Sequence, residues 1–174
     1  MKIPFFNYSA VYETYKNDFK RILDEVGSRG AFIMQNDLSD FENEIAKYSG
    51  SNFAVGVGIA TDALEMLVCV AGIKKNDEVI ISSHTMIATA SAISANGAKA
   101  IPIDCGADHL IDPGSIEGAI TKNTKCIMPT QLNGRTANMD QISDIADKYG
   151  LQIIEDSAQA LGSKFKEKNA GTFG

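Results

Sequence analysis

Residues 153–162, IIEDSAQALG, run from an apolar stretch into two adjacent carboxylates. Successive side chains of a strand point to opposite faces, so at most one of Glu155 and Asp156 faces a crevice at the strand end. Asp156 is the strongest candidate for chemistry. A carboxylate held there out of water requires a positive partner, because an unpaired buried charge is very costly. An arginine, a metal ion or a cationic cofactor would serve, while a structural salt bridge or a helix cap explains the residue equally well.

A second candidate is GVGIATDAL, residues 56–64, in which small residues and the pair Thr61–Asp62 begin a helix after an apolar run. A helix N-terminus presents free backbone N–H groups and the positive end of the dipole, and together these bind anions such as phosphate. The alternative is that Thr61 or Asp62 simply caps the helix, and the segment alone favours the cap. The glycines form neither a P-loop nor a GxGxxG fingerprint, so nucleoside triphosphate and dinucleotide binding gain little support.

His84 and Met86 follow another apolar run. His84 is a candidate base or ligand, although a hydrogen-bonded turn histidine is the commoner role. Helical periodicity favours a core position for Met86, but its place in the first turn of a helix also allows contact with a flat ligand.

The elements that must position these residues alternate between helix and strand. Helices are predicted around residues 19–26, 38–48, 62–71, 86–95, 115–120 and 139–149, and strands at 53–58, 78–82, 99–104, 125–130 and 151–156. Apolar strands separated by helices are typical of a parallel sheet covered on both faces. Ligands of such sheets bind at the carboxyl ends of the strands, so the candidate residues are expected to meet there.

The composition indicates one globular core, since 44% of the 174 residues are hydrophobic and 22% are charged. The net charge of -6 gives no support to nucleic-acid or anionic-membrane binding. The three cysteines are scattered singly without metal-ligand spacing, which predicts reduced thiols in a cytoplasmic protein and no metal site. No signal-peptide pattern and no apolar run long enough to span a membrane is recognised.

Taken together, ATDAL at 60–64, SHTMIAT at 83–89 and IIEDSAQALG at 153–162 resemble the sugar aminotransferases of the DegT/DnrJ/EryC1/StrS family. The combination is specific, and the resemblance extends over essentially the whole chain. It implies pyridoxal-phosphate enzymes of the aspartate-aminotransferase fold (fold type I), an α/β three-layer sandwich with a mainly parallel sheet. Residues 1–174 would then form the N-terminal segment and most of the cofactor-binding large domain, without the small C-terminal domain.

The resemblance assigns roles by position. Asp156 matches the aspartate that pairs with the pyridinium nitrogen of pyridoxal 5'-phosphate, which keeps the ring protonated as an electron sink. Gln159 matches the residue that hydrogen-bonds the phenolic oxygen of the cofactor.

Three adjacent residues, Ala60, Thr61 and Asp62, match the turn and helix start near the cofactor phosphate. Met86 stands where the family commonly places an aromatic that stacks on the ring, and a thioether also lies well against a π face.

The chain departs from the family pattern at three positions near these segments. Ala60 replaces a frequent glycine, Gln131 a frequent histidine, and Asn133 a common aromatic. We expect these positions to lie near the crevice and to bear on substrate choice.

The family's Schiff-base lysine, which also moves the proton between cofactor and substrate, lies beyond the GTFG segment and is not present in residues 1–174. Lys164, Lys166 and Lys168 are not expected to replace it, because GSKFKEKNAG is typical of a solvated hairpin or loop. The chain is interpreted as the front part of a longer enzyme and is not expected to transaminate alone.

The resemblance implies transfer of an amino group, from glutamate, to a nucleotide-linked keto-deoxysugar in the biosynthesis of surface polysaccharide, lipopolysaccharide (O-antigen) or natural products. It also implies a cytoplasmic homodimer with shared active sites. Two alternatives stay open. One is a pyridoxal-phosphate-dependent sugar dehydratase, in which a histidine replaces the lysine, and the other is a non-catalytic binding or regulatory protein of the same fold.

Overall fold

The computed structural model describes residues 3–174, and the chain divides into two compact units that meet in sequence between Phe41 and Glu42. In the first unit, helix α1 spans Tyr8–Ser28, and the Asn7 side chain caps it by accepting from the Ala10 N–H at 3.1 Å. Helix α2, Asn36–Ser49, begins in the first unit and ends in the second. Both helices were predicted, and α1 begins eleven residues earlier than its periodicity indicated.

The second unit holds the remaining elements in alternating order. They are α3 (Ala60–Val70), β1 (Glu78–Ser82), α4 (Ile87–Ala95), β2 (Lys99–Ile103), α5 (Pro113–Ala119), β3 (Thr124–Met128), α6 (Met139–Tyr149), β4 (Gln152–Ile153), β5 (Lys164–Phe165) and β6 (Lys168–Asn169). Strands β2, β1, β3 and β4 lie side by side in that order, all parallel. Strands β5 and β6 form a separate antiparallel hairpin, which confirms the prediction for GSKFKEKNAG.

The sheet is covered by helices on both faces, as its uniformly apolar strands predict. In β1, Val79 and Ile81 pack with buried residues of α3 and α4, whereas Ile80 between them packs with buried residues of α5 and α6. Strand β3 repeats the pattern, because Met128 joins the first cluster and Ile127 the second. The second unit is therefore an α/β sandwich of three layers.

Helix α6 shows how local sequence sets these elements. It spans Met139–Tyr149 as predicted, with the Asn138 side chain accepting from the Gln141 N–H at its start. Gly150 ends it in the left-handed conformation with φ 65, which glycine adopts without a Cβ penalty.

The predicted strand at residues 53–58 is wrong. No segment of residues 3–174 pairs with it, and Phe53 and Val55 are exposed instead of buried in the sheet. A strand forms only where a neighbour accepts its backbone hydrogen bonds, so an apolar run alone does not determine one. One backbone group here is bound to a side chain instead, since the Gly56 N–H donates to Glu42 at 2.7 Å.

In the part of the chain that the structure describes, no helix combines the length and apolar character that crossing a membrane requires. The same residues contain no cluster of three or more histidine, cysteine, aspartate or glutamate side chains suited to a metal ion.

Candidate functional site

A cavity of about 220 Å³ lies at the carboxyl ends of the parallel strands. Its wall includes all but one of the residues that the sequence singled out for cofactor binding, namely Ala60, Thr61, Met86, Asp156 and Gln159. The structure thus brings together side chains from the start of α3, the start of α4 and the loop after β4. The strand-end rule therefore located the place where these residues meet.

Asp62 is the residue that the cavity wall does not include. Its side chain covers Gly58 instead, since a Cβ added at Gly58 would lie only 2.9 Å from Asp62 Oδ2.

A larger hollow of about 780 Å³ lies beside the β5–β6 hairpin and includes Lys166 and Lys168. It contains none of the residues predicted for the site. Lys166 forms an exposed ion pair with Asp140, and the Lys168 ammonium lies 4.5 Å from the centre of the Phe173 ring. These lysines have surface partners, which agrees with the prediction that they do not replace a catalytic lysine.

Asp156 is buried, with only 5% of its surface exposed. One carboxylate oxygen, Oδ2, accepts a hydrogen bond from the Thr89 hydroxyl at 2.6 Å, and Oδ1 accepts from the Ala158 N–H at 3.3 Å. Within residues 3–174 it has no ion pair. No helix follows it in these residues for it to cap. Within residues 3–174, neither a salt bridge nor a helix cap accounts for Asp156, and its carboxylate borders the cavity.

Glu155 points to the opposite face of the sheet, as the strand alternation predicted. Its carboxylate accepts from the backbone N–H groups of Gly171, Phe173 and Gly174 at 3.0, 2.6 and 3.2 Å. It also accepts from Nε2 of Gln131 at 2.8 Å. The two adjacent carboxylates therefore have different roles. Asp156 borders the cavity, and Glu155 holds residues 171–174 against the sheet by hydrogen bonds.

Gln159 is oriented by the turn that follows β3. Its backbone carbonyl accepts from the Gly134 N–H at 2.9 Å, and its side-chain oxygen accepts from the Asn133 N–H at 3.2 Å. With Oε1 engaged in this way, the Nε2 group is the part of the amide that remains to donate into the cavity.

The start of α3 has no side-chain cap. The cap position is Ile59, with φ -147 and ψ 162, and neither Thr61 nor Asp62 replaces it. The cap interpretation favoured for this segment is wrong. Ala60 and Thr61 lie on the cavity wall, so the positive end of the helix dipole adjoins the cavity.

Met86 is 62% exposed and occupies the cap position of α4 on the cavity wall, so the core position indicated by its periodicity is wrong. His84 lies outside that wall. Its Nδ1 is 3.2 Å from the carbonyl oxygen of His109, which confirms the interpretation as a hydrogen-bonded turn histidine.

Gln131 is fully buried and does not line the cavity, but it lies next to the cavity, since its backbone N–H donates to the Asp156 carbonyl at 2.9 Å. Besides donating to Glu155, its side-chain oxygen accepts from the Ala137 N–H at 2.7 Å. The Gln131 side chain therefore links the loop between β3 and α6, at Ala137, to the loop after β4, at Glu155. Asn133 is exposed, with φ 54, and reaches the site only through the backbone bond to Gln159.

Sequence reasoning missed three threonines beside Asp156. Thr130 follows β3 and lines the cavity, Thr85 follows β1, and Thr89 lies in α4. The Thr85 hydroxyl is 2.7 Å from those of both Thr89 and Thr130. A signal was present, because Thr85 and Thr130 each closely follow a buried strand at the edge where ligands bind.

The sequence model of the DegT/DnrJ/EryC1/StrS aminotransferase family matches residues 13–174. This chain belongs to that family. It is 37% identical over 171 residues to the dTDP-3-amino-3,4,6-trideoxy-alpha-D-glucose transaminase of Streptomyces venezuelae, covering 98% of this chain and 45% of the relative. It is 38% identical over 175 residues to a pleiotropic regulatory protein of Geobacillus stearothermophilus, covering 100% of this chain and 47% of that protein. The chain spans about half the length of the curated relatives it matches.

Solved structures show the same fold. S. venezuelae DesV in complex with a ketimine intermediate superposes with a TM-score of 0.94 at 37% identity, over 98% of this chain and 46% of DesV. A GDP-4-keto-6-deoxymannose-3-dehydratase with a trapped PLP-glutamate geminal diamine gives 0.83 at 27% identity, over 89% of this chain and 42% of the dehydratase. The fold is that of the pyridoxal-phosphate enzymes of fold type I, and the cofactor of the family is pyridoxal phosphate, which other solved relatives carry in its PLP or PMP form.

Proposed function

We propose that the protein to which this chain belongs is a pyridoxal-phosphate-dependent aminotransferase that moves an amino group from glutamate to a nucleotide-linked keto-deoxysugar. The observation that carries the proposal is the buried Asp156 carboxylate, which borders a cavity and has no cationic partner within residues 3–174. Burial of a carboxylate is costly, and a cation that meets it lowers this cost; the pyridinium nitrogen of the cofactor would be such a cation.

The other residues on the wall fit the remaining parts of the cofactor. The uncapped start of α3, at Ala60 and Thr61, suits the phosphate. The free Nε2 of Gln159 suits the phenolic oxygen, which is an acceptor. Met86 lies on the same wall and suits one face of the ring.

When bound, the cofactor supplies an electron sink for the carbanion formed at the substrate carbon. The residues of this chain prepare the site for that chemistry. Asp156 holds a proton on the ring nitrogen, and the Thr89 hydroxyl keeps the carboxylate in place. Gln159 fixes the rotation of the ring through its phenolic oxygen. Leu64 and Ala88 make the wall apolar and exclude water.

The substrate class is supported by the relatives, whose names describe transaminases of nucleotide-linked amino sugars. We extend the proposal to a cytoplasmic homodimer with shared active sites that serves surface-polysaccharide, lipopolysaccharide or natural-product pathways. The family resemblance implies a Schiff-base lysine beyond GTFG, and this chain spans about half the length of its curated relatives. Residues 1–174 are therefore proposed to be the N-terminal segment and most of the large domain of the complete protein, and to be inactive alone.

The test uses the complete protein purified with pyridoxal phosphate. Glutamate is added first, and formation of 2-oxoglutarate and PMP is measured. A panel of dTDP-, UDP- and GDP-linked keto-sugars then follows, with mass spectrometry of the aminated product. The proposal predicts amination of at least one keto-sugar and loss of both half-reactions in Asp156→Asn. Unchanged transamination in that variant would exclude the role of Asp156, and failure to bind the cofactor would exclude the whole proposal.

Two other functions have a specific observation in their favour. The structural likeness to a sugar 3-dehydratase favours a dehydratase, which would release water from the sugar and leave no amino group on the product. The likeness to a pleiotropic regulatory protein favours a regulatory role, in which case the complete protein would turn over none of the sugars. The product analysis above separates all three.

A further inference from the structure

Asp156 is supported by a continuous chain of hydroxyl groups. Thr89 lies 2.6 Å from Asp156, Thr85 lies 2.7 Å from Thr89, and Thr130 lies 2.7 Å from Thr85. Thr89 and Thr130 are buried and Thr85 is partly buried. The three threonines come from α4 and from the loops after β1 and β3, so the chain joins separate elements around one carboxylate.

With Asp156 as the acceptor of the Thr89 proton, the directions of the other two hydroxyl bonds follow. A threonine hydroxyl has a single proton to donate. The proton of Thr89 is engaged by Asp156, so in its contact with Thr85 it is the acceptor, and Thr85 is the donor. The proton of Thr85 is engaged in turn, so Thr130 donates to Thr85. All three protons therefore point towards the carboxylate.

The series of hydroxyls ends on one oxygen of Asp156. Oδ2 accepts from Thr89 at 2.6 Å, which is a short separation for a hydroxyl bond to a carboxylate oxygen. Hydroxyls in series also polarise one another in the same sense. The carboxylate is thus held in one orientation and cannot rotate freely.

From this arrangement we infer that Thr89 is a positioning residue for the cofactor ring, acting through Asp156, and that Thr85 and Thr130 support it. The inference rests on the proposed function, since the ring nitrogen is the group that Asp156 would meet. The three threonines hold the carboxylate in a fixed direction, so that it is placed to meet the protonated nitrogen of the bound ring.

The test compares Thr89→Val, Thr89→Ser and wild type in the complete protein. Valine has the shape of threonine without the hydroxyl, and serine restores the hydroxyl. PMP affinity is measured by isothermal titration calorimetry. We expect Thr89→Val to weaken binding about tenfold, as loss of a hydrogen bond to a charged group does, and Thr89→Ser to stay within about threefold of wild type.

A second measurement reports on the ring nitrogen itself. ¹⁵N NMR of bound PMP labelled at that nitrogen shows whether it carries a proton. We expect the pH at which the proton is lost to fall by about one unit in Thr89→Val, in line with a tenfold weaker contact, and to recover in Thr89→Ser. A purely structural role of Thr89 would not move this midpoint.

Thr124→Val is the matched control. Thr124 is buried and its hydroxyl accepts from the Thr121 N–H at 2.9 Å, but it lies at the amino end of β3, away from the cavity. We expect it to change PMP affinity by less than about twofold, because distant sites act independently. If Thr89→Val does not fold, Thr85→Val tests the same series of hydroxyl groups, one hydroxyl further from Asp156. We expect this variant to weaken PMP binding by about threefold.

The outcomes separate the two proposals. If wild type binds no PMP in the cavity, the proposed function fails. If wild type binds PMP and Thr89→Val matches it in affinity and in the ¹⁵N midpoint, the threonine inference alone is overturned. Equal losses in Thr89→Val and Thr89→Ser would overturn it as well, because the hydroxyl would then not be the cause.

Discussion

Replacing Glu155 with alanine removes an acceptor that several donors share. The carboxylate accepts from three backbone N–H groups in residues 171–174 and from the Gln131 side chain, at 2.6 to 3.2 Å. We expect the variant to release this segment from the end of β4.

The magnitude depends on which donors regain water. Gly171 and Gly174 are exposed and are rehydrated at once, whereas Gln131 is fully buried and Phe173 is partly buried. A buried donor left unpaired costs about 1–3 kcal/mol, so the two shielded donors together cost about 3 kcal/mol in the local free energy of opening. Glutamine at position 155 keeps one acceptor oxygen but places an NH₂ against the other donors, so its effect should be intermediate.

The assay is hydrogen–deuterium exchange of the complete protein, followed by mass spectrometry of peptides that contain residues 170–174. A loss of about 3 kcal/mol corresponds to roughly 100-fold faster exchange of the amides that Glu155 protects. Glu167→Ala is the matched control, since this exposed hairpin carboxylate has no hydrogen bond within residues 3–174. Unchanged exchange in Glu155→Ala, or equal acceleration in both variants, would refute the reasoning.

Three further predictions follow from single residues. Burial raises the pKa of the Cys126 thiol to about 12. Iodoacetamide at pH 8 should therefore label the exposed Cys69 and leave Cys126 unlabelled in the native protein. Mass spectrometry of the labelled peptides measures both rates, and a similar rate for Cys126 would contradict the prediction. Gly150→Ala should lower the free energy of unfolding in urea by about 1 kcal/mol, because alanine is strained at φ 65, and an unchanged value would refute the strain. Bonds from the Ser115 hydroxyl and the Gly114 N–H hold the pKa of the Asp112 carboxyl below its usual value, so its contribution to α5 is present above about pH 4 and lost as the pH falls further. Amide exchange in α5 should therefore differ between wild type and Asp112→Ala at pH 6 and converge once the pH falls below the lowered pKa of Asp112. A difference that persists in the most acidic samples would contradict the assignment.

Much of the fold was predictable because the sequence is locally consistent. The strand at 78–82 and the helix at 139–149 were assigned with their observed bounds, since apolar runs, polar caps and a terminal glycine all indicate the same boundaries. The prediction of a strand at 53–58 was wrong for a non-local reason. Its residues suit a strand, but a strand also needs a neighbour, and residues 3–174 supply none.

The site was predictable where strand geometry determined it. The alternation of side chains separated Asp156 from Glu155, and the strand-end rule placed the loops together. The hydrogen bonds could not be predicted. The hydrogen bond between Thr89 and Asp156 depends on the distance between α4 and the loop after β4. The burial of Gln131 depends on the path of the loop after β3. Such contacts join residues far apart in sequence, and no local pattern encodes them.

The central claim is that the Asp156 carboxylate meets the ring nitrogen of pyridoxal phosphate. A crystal structure of the complete protein grown with the cofactor tests it most directly. We expect the ring to lie in the cavity between Met86 and Ala158, with its nitrogen about 2.7 Å from an Asp156 oxygen, the distance of a charge-assisted hydrogen bond. A ring bound in this cavity with its nitrogen facing another group, or a cofactor bound elsewhere on the protein, would contradict it.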